Sequence, residues 1–246
     1  MSNFQALNKT KKYFEGWYFK HQMGNQIVAL IPGINMNSDG EKNAFIQIIS
    51  NENSYCIYYP MSDCLIASNK LFIKIGENIF SKKGIKINIQ SNEIYLKGIL
   101  RYGSLTPIRY PIMGLFRLLP RMECNHEIIS MYHRVQGNLI LNGKTLTFDD
   151  GIGYIEKDWG HSFPKSYVWL QCNSFMKEKC SIIVSVAEIP YLGMNFKGCI
   201  CAIHYKGIEY RLVTYLGVKI IICNERIICL QQGKYLLIIQ FNGTRS

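Results

Sequence analysis

The chain has 246 residues, 48% of them hydrophobic and 18% charged, with a net charge of +11. That composition excludes a disordered chain, and no apolar run reaches the roughly 20 residues that a membrane-spanning helix needs. Nine cysteines, an odd number with no CxxC pair, argue against a disulfide framework or a structural zinc site and fit reduced, mostly buried thiols in a cytoplasmic protein.

The N-terminal stretch "MSNFQALNKTKKYFEGWYF" has no apolar region followed by a small-residue cleavage site, so no export signal is expected. From Tyr13 onward the hydrophobic pattern has period two, the signature of half-buried strands. In "YFEGWYFK", Tyr13, Glu15, Trp17 and Phe19 share one face, and Phe14, Gly16, Tyr18 and Lys20 share the other. A carboxylate thus stands in a row of aromatic rings. Glu15 is either an acid held protonated by a dry setting or one partner of an ion pair with a nearby lysine.

Further strands are expected at "QIVALIPGI", "AFIQIIS", "YCIYYP", "LFIKIG", "GIKINIQ" and "EIYLKGILR". The segment "YGSLTPIRYPIMGLFRLLPRM" breaks the pattern with three prolines, yet is too apolar for a solvated linker. It reads as a packed connector over 102–122, with one helical turn, between two antiparallel units spanning 1–101 and 123–246. "NLILNGKTLTF" carries Asn142-Gly143, a strong hairpin signal. "YKGIEY" and "QQGKY" look like weaker hairpins. The fold class expected is all-β, with antiparallel barrels or sandwiches.

Polarity concentrates in "DDGIGYIEKDWGHSFP". Four of the 17 acids, Asp149, Asp150, Glu156 and Asp158, fall within ten residues of a basic protein. Asp149 and Asp150 suit a turn. Tyr154, Glu156 and Asp158 share one strand face; Ile155, Lys157 and Trp159 share the reverse; His161 follows the turn. Two neighbouring carboxylates resist joint ionisation, so one should hold a proton and serve as a general acid. Asp158 is the first choice because it lies nearest the Trp159-Gly160 turn; Glu156, His161 and Glu15 complete the catalytic candidates. A structural network with Lys157 and His161 is the competing reading. In "YVWLQCN", Tyr167, Trp169, Gln171 and Asn173 lie on one face, an indole beside amides that suits a ligand-lining wall. Candidate ligand-binding residues are therefore Trp17, Tyr154, Trp159, Trp169, Gln171 and Asn173. His126 and His133 are placed on opposite faces of their strand, so no metal site is expected. No cofactor is expected, because P-loop, dinucleotide and nucleophile-elbow motifs are absent. The positive charge is spread in short clusters such as "KTKK" and "SKKGIK". That argues against a nucleic-acid partner and is compatible with weak, peripheral attraction to anionic lipid headgroups.

"YFEGWYFK", "MECNHEIISMYH", "GYIEKDWGHSFPKSYVWLQCN", "AEIP", "FKGCICAI" and "EYRLVTYLG", in that order, resemble the tocopherol cyclase family and its bacterial relatives from about Tyr13 to Gly217. The resemblance implies two consecutive lipocalin-like units and a largely apolar pocket. It also implies acid-assisted ring closure of a prenylated hydroquinone: an alkene is protonated and the phenol oxygen captures the cation. Members of that family continue past the last strand with further β structure, so the second unit is expected to be incomplete at its C-terminus. The heavy use of Ile, Lys and Asn suggests an AT-rich bacterial genome. The partner implied is a hydrophobic small molecule. A lipocalin-like carrier of a lipid or pigment, and a hydratase using the same acid with water, are the alternatives.

Overall fold

The period-two pattern becomes antiparallel strand over most of its length. The computed structural model describes residues 9, 11–118, 122–175, 179–191 and 194–241, with 65% strand and 5% helix. That share lies far above the roughly 20–25% strand of an average domain, so the fold is all-β. The early strands are β1 (Tyr13–Met23), β2 (Gln26–Met36), β3 (Lys42–Ser50), β4 (Ser54–Pro60), β5 (Cys64–Ile66), β6 (Phe72–Ile75), β7 (Asn78–Ser81), β8 (Gly84–Gln90) and β9 (Tyr95–Tyr102). The middle strands are β10 (Cys124–Leu141), β11 (Lys144–Thr147) and β12 (Gly151–Gly160). The late strands are β13 (Tyr167–Cys172), β14 (Cys180–Tyr191), β15 (Met194–Tyr205), β16 (Ile208–Arg211), β17 (Lys219–Cys223), β18 (Ile227–Gln232) and β19 (Tyr235–Gln240).

Two compact units result, but their boundaries differ from those expected at 101 and 123. The first comprises 1–111 and 124–162; the second comprises 112–123 and 163–246. The connector is therefore divided, and its helical turn, Gly114–Leu118, goes with the second unit. The reason is strand pairing. β10 hydrogen-bonds to β9, and β12 inserts between β10 and β1, so residues 124–162 finish the first sheet. A hydrophobic pattern reports which face of a strand is buried; it does not report which strand lies beside it.

The first unit is one sheet of order β4-β3-β2-β1-β12-β10-β9-β8-β7-β6-β5, with β11 paired to β10. Two meanders, β1–β4 and β5–β10, are thus joined edge to edge by β12. The hydrogen-bonded path is open, with β4 and β5 at its ends, so the barrel alternative is not realised as a closed one. Side chains from both halves still share one core, including Phe19, Leu30, Ile46, Ile48, Ile73, Ile75, Phe80 and Ile87. The expected Asn142-Gly143 hairpin joins β10 to β11, with both residues at positive φ, 49° and 84°. Two-residue hairpins of that hand favour Asn-Gly.

In the second unit, β13-β14-β15-β16 form one sheet and β17-β18-β19 another. Ile182, Val184, Cys199 and Cys201 of the first pack with Ile228 and Leu230 of the second, giving a small sandwich core. Cys199 and Cys201 are buried, and burial pushes the Cys199 thiol up to about 12. These thiols behave as small apolar side chains.

Two histidines are built into the first unit in neutral form. His21 Nδ1 faces the Val28 carbonyl at 3.1 Å and its Nε2 meets the Tyr102 hydroxyl at 2.5 Å, so Nδ1 carries the hydrogen and Nε2 accepts. The Ser130 hydroxyl donates to the Tyr132 carbonyl and accepts from His133 Nδ1 at 3.0 Å. His133 Nε2 is left buried with no hydrogen-bond partner, lying over Gly153, where an added Cβ would stand 2.2 Å from it. Burial lowers the two imidazoles to about 4 for His21 and about 3 for His133, the latter also because of His21 nearby. Below about pH 6.5 the unfolded chain protonates these rings and the folded chain does not, so their contribution falls as pH drops from 6.5 towards 4. The melting temperature should fall over that interval, and a His21→Gln/His133→Gln variant should show a flatter slope in thermal melts at stepped pH.

Candidate functional site

Strand β12 separates two kinds of charge by alternation alone. On one face it carries Tyr154, Glu156 and Asp158; on the other, Ile155, Lys157 and Trp159. Antiparallel pairing places Gly16 and His126 on either side of Asp158, and Tyr18 and Ile128 on either side of Glu156. Directly opposite and diagonal residues on one face are within side-chain reach. His126 therefore projects between the two carboxylates, while Gly16 brings no side chain on the other flank, where Ile31 comes within 3.5 Å of the position a Cβ would take.

His126 Nδ1 lies 2.6 Å from Asp158 Oδ1, and its Nε2 lies 3.3 Å from Glu156 Oε2. The second contact has ion-pair distance but lacks hydrogen-bond alignment. The Tyr154 hydroxyl donates to the same Glu156 oxygen at 2.5 Å. His126, Tyr154 and Glu156 are 8%, 0% and 3% exposed, whereas the Asp158 side chain is 24% exposed; Asp158 is the member that reaches the surface. Burial alone would lower the His126 pKa, but the carboxylates of Asp158 and Glu156 outweigh it and push it up to about 9. Tyr154 is held well above the usual phenol range by burial and by Glu156. At neutral pH His126 is an imidazolium standing between Asp158 and Glu156.

This arrangement changes the expected chemistry in one respect. Glu156 and Asp158 do share a face, but the proton that relieves their repulsion sits on His126, a residue that the sequence reading set aside. His126 comes from a strand 30 residues away, and no local pattern ties it to Asp158. His161 is exposed and makes no hydrogen bond or ion pair with another described residue. Asp150 is a turn residue paired with Arg134 at 2.6 Å on the surface.

Among the described residues, His126, Glu156 and Asp158 form the group that could hold a metal ion, with donor atoms within 4.8 Å of one another. Two ligands of a tetrahedral metal with bonds of about 2.0–2.1 Å stand about 3.3 Å apart. The 2.6 Å contact between His126 and Asp158 is closer than that. The geometry is that of a shared proton.

The reverse face of β12 holds a second buried charge. Lys157 Nζ lies 2.5 Å from Glu15 Oε1, 5.0 Å from the centre of the Trp17 ring and 4.9 Å from that of Trp159. Glu15 is 0% and Lys157 2% exposed. Of the two readings of Glu15, the ion pair is the one that forms, and the ring faces of Trp17 and Trp159 are turned to an ammonium. A small pocket in the same unit is lined in part by Trp17, Phe72, Glu127, Ile129 and Lys157. Trp169, Gln171 and Asn173 belong to the second unit, where Trp169 is 36% exposed on β13 and Asn173 is buried.

A family model described as tocopherol cyclase-like matches residues 81–219. A protein named probable tocopherol cyclase, chloroplastic, from Oryza sativa subsp. japonica is 25% identical over 129 residues, covering 51% of this chain and 27% of that protein. Tocopherol cyclase, chloroplastic, from Zea mays is 23% identical over 129 residues, with the same coverage. The match thus spans about a quarter of the length of these relatives. Among solved structures, kievitone hydratase from Nectria haematococca is similar, with a TM-score of 0.51, 10% identity, and coverage of 95% of this chain and 78% of that one. At that identity the likeness concerns the fold. No helix among the described residues is long and apolar enough to cross a membrane.

Two outcomes test this geometry. Removing one partner of a buried ion pair costs about 3–5 kcal/mol, because the other charge is left unpaired. Glu15→Gln should destabilise by that amount in urea titrations followed by tryptophan fluorescence, and adding Lys157→Met should restore most of it. The raised His126 pKa acts in the opposite sense to His21 and His133. Its contribution is complete below about pH 6.5 and is lost as pH rises through about 9. Parent melts should therefore decline towards pH 9, and Asp158→Asn should weaken that decline.

Proposed function

The chain belongs to the tocopherol cyclase-like family, and from that premise we propose that it cyclises a prenylated phenol or hydroquinone by proton transfer, an isomerisation without a cofactor. The observation that carries the proposal is the 2.6 Å contact between a buried imidazole and the partly exposed Asp158, which joins a protected proton to a group that a substrate can touch.

The reaction needs one proton delivered to an alkene carbon and one recovered from a phenol oxygen. The proton of His126 Nδ1 crosses to Asp158 Oδ1, giving a carboxylic acid beside a neutral imidazole. Asp158 passes it to the less substituted alkene carbon, and the π electrons form the new C–H bond. The other carbon becomes a tertiary cation. The carboxylates of Asp158 and Glu156 now face developing positive charge, an interaction stronger in the transition state than in the ground state. The phenol oxygen attacks the cation and closes the ring; its proton returns through Asp158 to His126. No proton is gained or lost overall. Tyr154 holds Glu156 in place through its 2.5 Å hydrogen bond.

A carrier without chemistry is the second reading, and the burial of Glu15 against Lys157 favours it: that acid is committed to structure. Turnover in heavy water separates the two. A short-chain prenylated hydroquinone incubated with the protein in D2O should yield a chromanol with one deuterium on the ring carbon beside the ether-bearing carbon. Asp158→Asn should lower turnover by about 10²–10⁴-fold, with little change in binding read from tryptophan quenching. Binding by the parent without any cyclised product would establish the carrier; turnover undiminished in Asp158→Asn, Glu156→Gln and His126→Gln would remove the cluster from the chemistry.

A further inference from the structure

The sheet β17-β18-β19 has apolar side chains on both faces, and among the described residues only one face packs into a core. Ile220, Ile228, Leu230, Leu237 and Ile239 turn inwards onto the sandwich core. On the other face, Ile222, Cys229 and Ile238 stand in one cross-strand row, and Lys219, Gln231 and Leu236 in the next. Ile221, at the irregularity of β17, lies beside them. Ile221, Ile222, Leu236 and Ile238 are 51%, 40%, 61% and 52% exposed. An antiparallel sheet with one solvated face ordinarily alternates polar residues there. Four grouped, half-exposed aliphatic side chains mark a contact surface.

Charge selects the partner. Residues 214–241 hold one acid, Glu225, against Lys219, Arg226 and Lys234. Lys219 pairs across from Gln231, and Lys234 sits in the turn before Tyr235, so both ammonium groups fall at one end of the sheet. Lys234 Nζ lies 5.6 Å from the Tyr235 ring centre, and Tyr235 packs edge-on against Tyr210 at 5.8 Å. Aliphatic groups flanked by lysines suit a bilayer interface. The aliphatic side chains enter the acyl boundary and the ammonium groups reach phosphate, while Tyr235 turns to the sandwich side of the sheet. A second copy of the chain would bring one +11 molecule against another, with both rims cationic.

We propose that the outer face of β17-β18-β19 docks on an anionic lipid surface through Ile221, Ile222, Leu236 and Ile238, with Lys219 and Lys234 at the headgroups. The docking does not depend on the cyclisation proposed above, since it involves none of those residues and is measured without a quinol.

Co-sedimentation of the full chain with large vesicles tests it. Vesicles of phosphatidylcholine containing about one third phosphatidylglycerol should bind the protein at least about tenfold more tightly than phosphatidylcholine alone. High salt should remove most of that difference. Leu236→Ser/Ile238→Ser should weaken partition about tenfold or more, and Lys219→Glu/Lys234→Glu more strongly still, each with an unchanged melting curve. Equal binding to both vesicle types, salt-insensitive binding, or no binding by the parent would overturn the proposal whatever the variants do. If instead the parent self-associates in sedimentation velocity and Leu236→Ser/Ile238→Ser abolishes that, the face joins copies of the chain and the lipid assignment is wrong.

Discussion

Lys157 carries its charge into the first unit's interior, where Glu15 and two indole rings receive it. Much of the site follows from that one accommodation. β12 lies between β1 and β10, and its alternate side chains enter two environments of opposite need. One holds a cation and wants an anion and ring faces; the other holds two anions and wants a cation. A slip of one residue would turn Lys157 out of its aromatic slot and drive Glu156 or Asp158 into it. Both faces would then hold unpaired buried charge, at several kcal/mol for each ion. Buried polarity on both faces thus specifies the register of the strand that joins the two meanders.

The same register builds the His126 cluster. Asp158 stands opposite Gly16 on one side and His126 on the other, so one neighbour brings no side chain and the other an imidazole in contact with it. The carboxylates of Asp158 and Glu156 raise the affinity of His126 for its proton, and Asp158 is the more exposed of the two. His21 and His133 show the contrast within the same unit. Among the described residues they have no carboxylate partner, their hydrogen bonds suit the neutral ring, and burial pushes their pKa values down. Identical side chains thus become a charged and two neutral elements of one sheet through their neighbours alone.

The second unit is organised by other means. Its core is a thin sandwich of Ile, Val, Leu and Cys, with no second cluster of the His126 type among the described residues. Its unusual features lie outward: aromatic groups on β13 and aliphatic ones on the last sheet. Proton handling is concentrated in the first unit and apolar surface in the second.

Much of this was legible in the residues. Period-two alternation determined the all-β class, the Asn142-Gly143 hairpin and the two faces of "YFEGWYFK" and "GYIEKDWG", because strand geometry makes i and i+2 neighbours whatever the fold. It also grouped Glu156 with Asp158 and put Glu15 among aromatic rings. Partnership between strands was decided only in three dimensions. The sequence offers no rule that β12 should return to β1, so the unit boundary fell elsewhere than the proline-rich connector suggested. For the same reason His126 could not be tied to Asp158, nor Glu15 to Lys157, across 32 and 142 positions. Local pattern reports the direction in which a side chain points. What stands in front of it depends on long-range pairing, whose energy comes from burying both strands together.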